Sequence, residues 1–196
     1  MTRYAKIIIS FAVLIFSFSC SERHVQYVLS DIALTLEIPA SFKVLNAEQM
    51  NALNKKGLKL VEDVNHMSVD SVQTKTLITA RKNESNYFSV AITPYSVQTD
   101  GPYLETVKQV NDLLYNTLHN KIPDAKIDTI KSKKIIGGYE FKEFHMIIPI
   151  KEKITMHLFL LSKYYQGYDL GISYVYMDGV TKKQMETILE SCKFAY

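Results

Sequence analysis

The sequence predicts an α+β fold, a mostly antiparallel sheet covered by three helices in the order β, α, ββ, α, ββββ, α. Three observations predict it. Period-two stretches rich in Val, Ile, Thr and aromatic residues come in groups, with no regular alternation of strand and helix. Three segments carry apolar residues at helical spacing behind helix-start signals. Residues 126–177 are cut by three turn signals, as a four-stranded meander requires.

Taken in order, Ile32-Ala33-Leu34-Thr35-Leu36-Glu37-Ile38 alternates as a strand and Pro39 stops it. Asn46 and Gln49 are spaced as a capping box, Leu45 and Met50 as a hydrophobic staple. The stripe Met50, Leu53, Gly57, Leu60, Val61, Val64 then predicts a helix over 47–65. A hairpin follows, 74–82 and 87–95 around Asn83-Glu84-Ser85-Asn86. Pro102 suits the first turn of the second helix, whose buried face is Tyr103, Val107, Val110, Leu114 and Leu118; Pro123 closes the segment. Within the meander the turns fall at Gly137-Gly138, Pro149 to Lys153, and Tyr165-Gln166-Gly167. Thr181 with Gln184 (box) and Val180 with Met185 (staple) open the third helix, with Met185, Ile188, Leu189 and Cys192 as its apolar face.

The N-terminus is of another kind. Arg3 and Lys6 precede the apolar run 7–16, and Ser17-Phe18-Ser19-Cys20 follows. That run is about half of what a helix needs to span a bilayer, so cleavage is expected rather than a permanent span. The segment resembles the lipobox of bacterial lipoproteins, in the looser form of the Bacteroidota, since small Ser19 precedes Cys20 while Phe18 and Ser17 depart from the commoner pattern. The resemblance implies a signal peptide over 1–19, an acylated Cys20 that anchors the chain in a lipid bilayer, a tether over 20–30 and a single domain over 31–196. Ser21 after the cysteine implies the outer membrane, on its periplasmic or its surface face.

Composition excludes some partners. The chain of 196 residues carries 23 basic and 20 acidic side chains, and losing residues 1–19 removes two of the basic ones, so the expected mature domain is nearly neutral. A nucleic-acid partner is therefore discarded. With Cys20 acylated, Cys192 has no disulfide partner, and stability must come from packing.

The element order, with Ile38-Pro39-x-x-Phe42 near its start and Leu189-x-x-Cys192-x-Phe194 at its end, resembles the PsbP/DcrB-like α/β/α sandwich lipoproteins over most of the mature chain. That family serves many roles, so the resemblance implies a fold and little function.

Three constellations could carry function. With the second meander turn centred on residue 151, His145 faces His157 with Glu143 beside them; two imidazoles and a carboxylate suit Zn²⁺ with an open position, against the plainer reading of polar side chains on a half-buried strand. The opposite face, with Phe144, Met146, Ile148, Leu158 and Leu160, is expected to be the core. Cys192 lies on an apolar helical stripe, where a buried, inert thiol is expected. Tyr164, Tyr165, Tyr168, Tyr174 and Tyr176 crowd the last hairpin, and Tyr165 and Tyr168, flanking the turn, are expected to be exposed and available to a partner.

No Gly-x-Ser-x-Gly elbow, P-loop or Gly-x-Gly-x-x-Gly occurs, and no catalytic residue or cofactor is expected. The leading expectation is a non-enzymatic envelope lipoprotein that binds or scaffolds a partner protein. The rivals are a metal-dependent hydrolase using His145 and His157, and a carrier of a small apolar ligand, which requires a cavity between sheet and helices.

Overall fold

A computed structural model describes residues 22–65 and 73–195, so the signal segment and Cys20 lie outside the described residues. Its elements are β1 (His24–Leu29), β2 (Leu34–Pro39), β3 (Lys43–Val44), α1 (Ala47–Asn65), β4 (Lys75–Asn83), β5 (Asn86–Pro94), α2 (Val97–Asp100), α3 (Tyr103–Lys121), β6 (Asp128–Ile136), β7 (Tyr139–Lys151), β8 (Ile154–Tyr165), β9 (Tyr168–Tyr176), α4 (Gly179–Ser191) and β10 (Lys193–Phe194).

Seven strands form one antiparallel sheet in the order β3-β4-β5-β9-β8-β7-β6, and β1-β2-β10 form a second, smaller one. The predicted hairpin and meander are therefore present. Gly137 and Gly138 both take positive φ, 54° and 86°, as do Gln166 and Gly167, 50° and 84°, which is the backbone that two-residue turns need to match the strand twist. The Asn46–Gln49 capping box forms reciprocally, with amide-to-side-chain distances of 2.9 and 3.2 Å.

Four expectations are corrected. Residues 24–29, read as part of the tether, form β1, paired along their whole length with β2. The last helix begins at Gly179 and is capped by Asp178, which accepts from the Thr181 amide at 2.8 Å; Gln184 bonds elsewhere, and Val180 is exposed rather than stapled. Val110, placed on the buried face of the second helix, is exposed.

The fourth correction concerns the core. Both faces of the large sheet are covered. The smaller sheet and α4 cover the face carrying Phe88, Phe141, Phe159, Leu161 and Tyr174, which holds the larger apolar cluster. The face of Phe144, Met146, Ile148 and Leu158, expected to be the core, packs a smaller cluster against α3. An apolar run on each side of one strand does not say which side is better covered; the smaller sheet decides it, and its strands come from opposite ends of the chain.

Candidate functional site

β7 and β8 carry the two histidines. Their ladder pairs Ile148 with Met156, Ile147 with His157 and His145 with Phe159, and an irregularity between Pro149 and Lys151 adds a residue before the turn. Relative to the predicted register the partners shift by two, so His145 and His157 are diagonal rather than opposite. A shift of two preserves the side of the sheet, and the imidazoles still meet: His145 Nε2 and His157 Nδ1 lie 3.0 Å apart, a hydrogen bond in which one ring donates to the other.

The pair is built into a ladder of rings. His145 stacks on Phe159 at 3.8 Å, Phe159 on Tyr174 at 4.4 Å, and His157 on Tyr176 at 4.8 Å. Burial lowers the pKa of His145 to about 4, helped by the positive fields of His157 and Lys182 and opposed by Glu143. His157 is lowered by burial and then by Lys182. Burial also raises Tyr174 and Tyr176, so the cluster is neutral near neutral pH. Two neutral imidazoles that satisfy each other can hold the ladder in place and relay one proton between them.

Glu143, the third expected ligand, is occupied: its carboxylate accepts from Ser132 Oγ on β6 at 2.6 Å. Among the described residues no group of three or more His, Cys, Asp or Glu side chains is placed to share a metal ion. The sequence reading thus finds the two histidines together but not the three-ligand set.

The tyrosine expectation is corrected. Tyr165 is buried, packed edge-on against Tyr139 and tilted on Phe194, and Tyr168 is half-buried against the same cluster. Tyr164, one residue earlier and on the other side of the sheet, is the exposed one. It meets Tyr95 and Tyr103 at 5.8 and 6.0 Å, and Tyr103 donates to Asp169 at 2.7 Å. Burial raises the Asp169 carboxyl, with that hydrogen bond opposing. The sequence gives little sign of this cluster, because Tyr95 and Tyr103 flank the short helix α2, which no periodicity announces. Cys192 is buried as expected, its thiol pushed up to about 12 by burial.

The sequence matches no protein-family model and no curated protein. In structure the chain is similar to the cyanobacterial PsbP, CyanoP, of Synechocystis: TM-score 0.53 at 9% identity, covering 88% of this chain and 92% of that one. A protein from Bacteroides thetaiotaomicron aligns with TM-score 0.47 at 8% identity over 87% of this chain and 48% of its own length. LpqN, involved in cell envelope biogenesis of Mycobacterium tuberculosis, aligns with TM-score 0.42 at 10% identity over 88% and 91%. The likeness to CyanoP shows the fold: an α+β, PsbP-like arrangement of antiparallel sheets and helices.

Proposed function

We propose that the chain is a non-enzymatic lipoprotein of the cell envelope, held at the outer membrane by an acylated Cys20, that binds or scaffolds a partner protein there. The observation that carries this reading is where the folded body begins. Glu22, two residues after Cys20, accepts hydrogen bonds from Ser41 Oγ and, at 2.6 Å, from Gln184 Nε2 on α4. Burial opposes its charge, but those bonds hold its carboxyl below the usual range. Two residues reach about 7 Å at most. The anchor and the body are therefore joined by a short, tied connection, which suits a part that presents a fixed face rather than one that swings on a long tether. No helix among the described residues is long and apolar enough to cross a membrane.

The surface that fits a partner is the outer edge of β1. It is the longer of the two edges of the smaller sheet among the described residues, β10 being only two residues, and Val25 and Val28 on it are 39% and 65% exposed. An extended segment of another protein can add to such an edge through backbone hydrogen bonds. The far edge of the large sheet, β6, carries Lys131, Lys133 and Lys134, which discourage strand addition.

The test is capture of the full-length protein from mildly crosslinked membranes, with Cys20→Ala and Val28→Lys forms beside it. A diacylglyceryl N-terminal peptide by mass spectrometry, with a partner lost in both variants, is the expected result. An unmodified N-terminus overturns the anchor. A partner retained by Val28→Lys overturns the edge as its docking surface.

A further inference from the structure

A poorly filled part of the molecule lies beneath α1. This helix has no buried residue, and the polar ties between it and the body include Asn54 Nδ2 to Thr76 Oγ1, 3.0 Å, and Asn65 Nδ2 to Thr117 Oγ1, 2.7 Å. Its apolar stripe nonetheless faces the large sheet, where Leu53 and Leu60 line a cavity of about 560 Å³. The volume falls within the ~300–1,000 Å³ typical of small-molecule sites.

The cavity exists because the sheet beneath it offers small side chains. Thr79, Ser89 and Ser173 from β4, β5 and β9 form its floor, with Tyr87 beside them. Core strands of this kind elsewhere in the molecule carry Ile, Leu or Phe. Gly57, in the middle of α1, lines the roof, and a Cβ added there would meet nothing within 4 Å. Small residues on both sides of one gap leave room that neither element fills.

Its chemistry is specific. Thr79 and Ser89 hydroxyls bond each other at 2.9 Å and Ser89 donates to the Ile78 carbonyl at 3.1 Å, so both are spoken for. The hydroxyls of Ser173 and Tyr87 have no hydrogen-bond partner among the described residues. Lys56 is the one charged side chain among the described lining residues, and no acid accompanies it. We propose that this cavity binds a small amphipathic anion, its apolar body between Leu53 and Leu60, its polar edge on Ser173 and Tyr87, and its negative group on Lys56. The proposal does not depend on the membrane anchor or on the β1 edge.

The full chain with Cys20→Ala, which carries no acyl chains, is titrated with anilinonaphthalene sulfonate and with uncharged phenylnaphthylamine, reading fluorescence, and the bound probe is competed with decanoate. Saturable binding at one site, displaced by decanoate, is expected. Gly57→Phe fills the gap from the helix and Ser173→Leu from the sheet, and each should weaken both probes by about ten-fold or more, equivalent to about 1.4 kcal/mol. Lys56→Glu should weaken the sulfonate several-fold and leave phenylnaphthylamine unchanged. Near-ultraviolet circular dichroism checks that each variant is folded. Unchanged binding in folded Gly57→Phe and Ser173→Leu overturns the site, and equal loss of both probes in Lys56→Glu overturns the anionic class.

Discussion

His145 and Phe159 stand directly opposite each other across the β7–β8 ladder, with rings 3.8 Å apart and 10° from parallel. The imidazole is thus one ring of a stack that continues through Phe159 to Tyr174. A proton on it would set a charge against that stack, beside His157 and within the field of Lys182, with only Glu143 in its favour.

This arrangement makes stability depend on pH with a defined sign. His145 is held near 4 and His157 is also lowered, whereas both titrate near 6.5 when unfolded. Between those values the unfolded chain binds more protons, so stability is complete above about pH 6.5 and falls as the pH drops toward about 4. The melting temperature should decline over that window, and His145→Gln should flatten the decline. An equally steep profile in the variant would place the acid sensitivity elsewhere.

Gly57 interrupts α1 where a side chain meets open space. Gly57→Ala should stabilise the protein by about 0.5–1 kcal/mol by removing backbone freedom from the unfolded chain. That is a rise in melting temperature of about 1–4 °C for a chain of this size. A fall would mean that α1 needs the glycine for its path.

The two glycines of the β6–β7 turn should behave differently. Both have positive φ, so alanine strains either by about 1 kcal/mol or more. A Cβ at Gly137 would also come within 2.7 Å of Phe194 Cδ2 and 3.0 Å of the Cys192 carbonyl, while one at Gly138 meets nothing within 4 Å. Urea denaturation should show Gly137→Ala as clearly the more destabilised. Equal losses would show that β10 yields without cost.

Cys192 is 3% exposed and its thiol is held up near 12, so little thiolate forms at neutral pH. It should resist dithionitrobenzoate in the folded protein and react once urea unfolds it. Rapid reaction in native buffer would contradict the packing of α4.

Much of the fold was legible because the signals were local. The Asn46–Gln49 box, the Gly137-Gly138 turn and the stripe of α4 each lie within a few residues and need nothing distant to be read. β1 and β10 were not legible. His24 to Leu29 alternates poorly, and Lys193-Phe194 is too short for any period, so both become strands only through Leu34 to Pro39. The histidine pair is found by parity alone, since the turn at 152–153 and the extra residue near Pro149 together move the register by two and leave the side of the sheet unchanged. The cavity under α1 could not be foreseen, because it depends on which small residues of three strands come to lie beneath Gly57.

The pairing of β2 also sets a clock. One neighbour, β1, is made just before it, but the other, β10, is made long after: Phe194 pairs with Leu34, Ala195 donates to the Ala33 carbonyl at 2.8 Å, and Ser191 receives the Glu37 amide across 154 positions. A ribosome or export channel that has released all but α4 and its tail has released a body whose Leu34, Leu36 and Ile38 still lack their cover. Closure of the smaller sheet therefore waits until residues 191–195 have emerged, and the interval before it is when a chaperone or a protease finds these side chains bare.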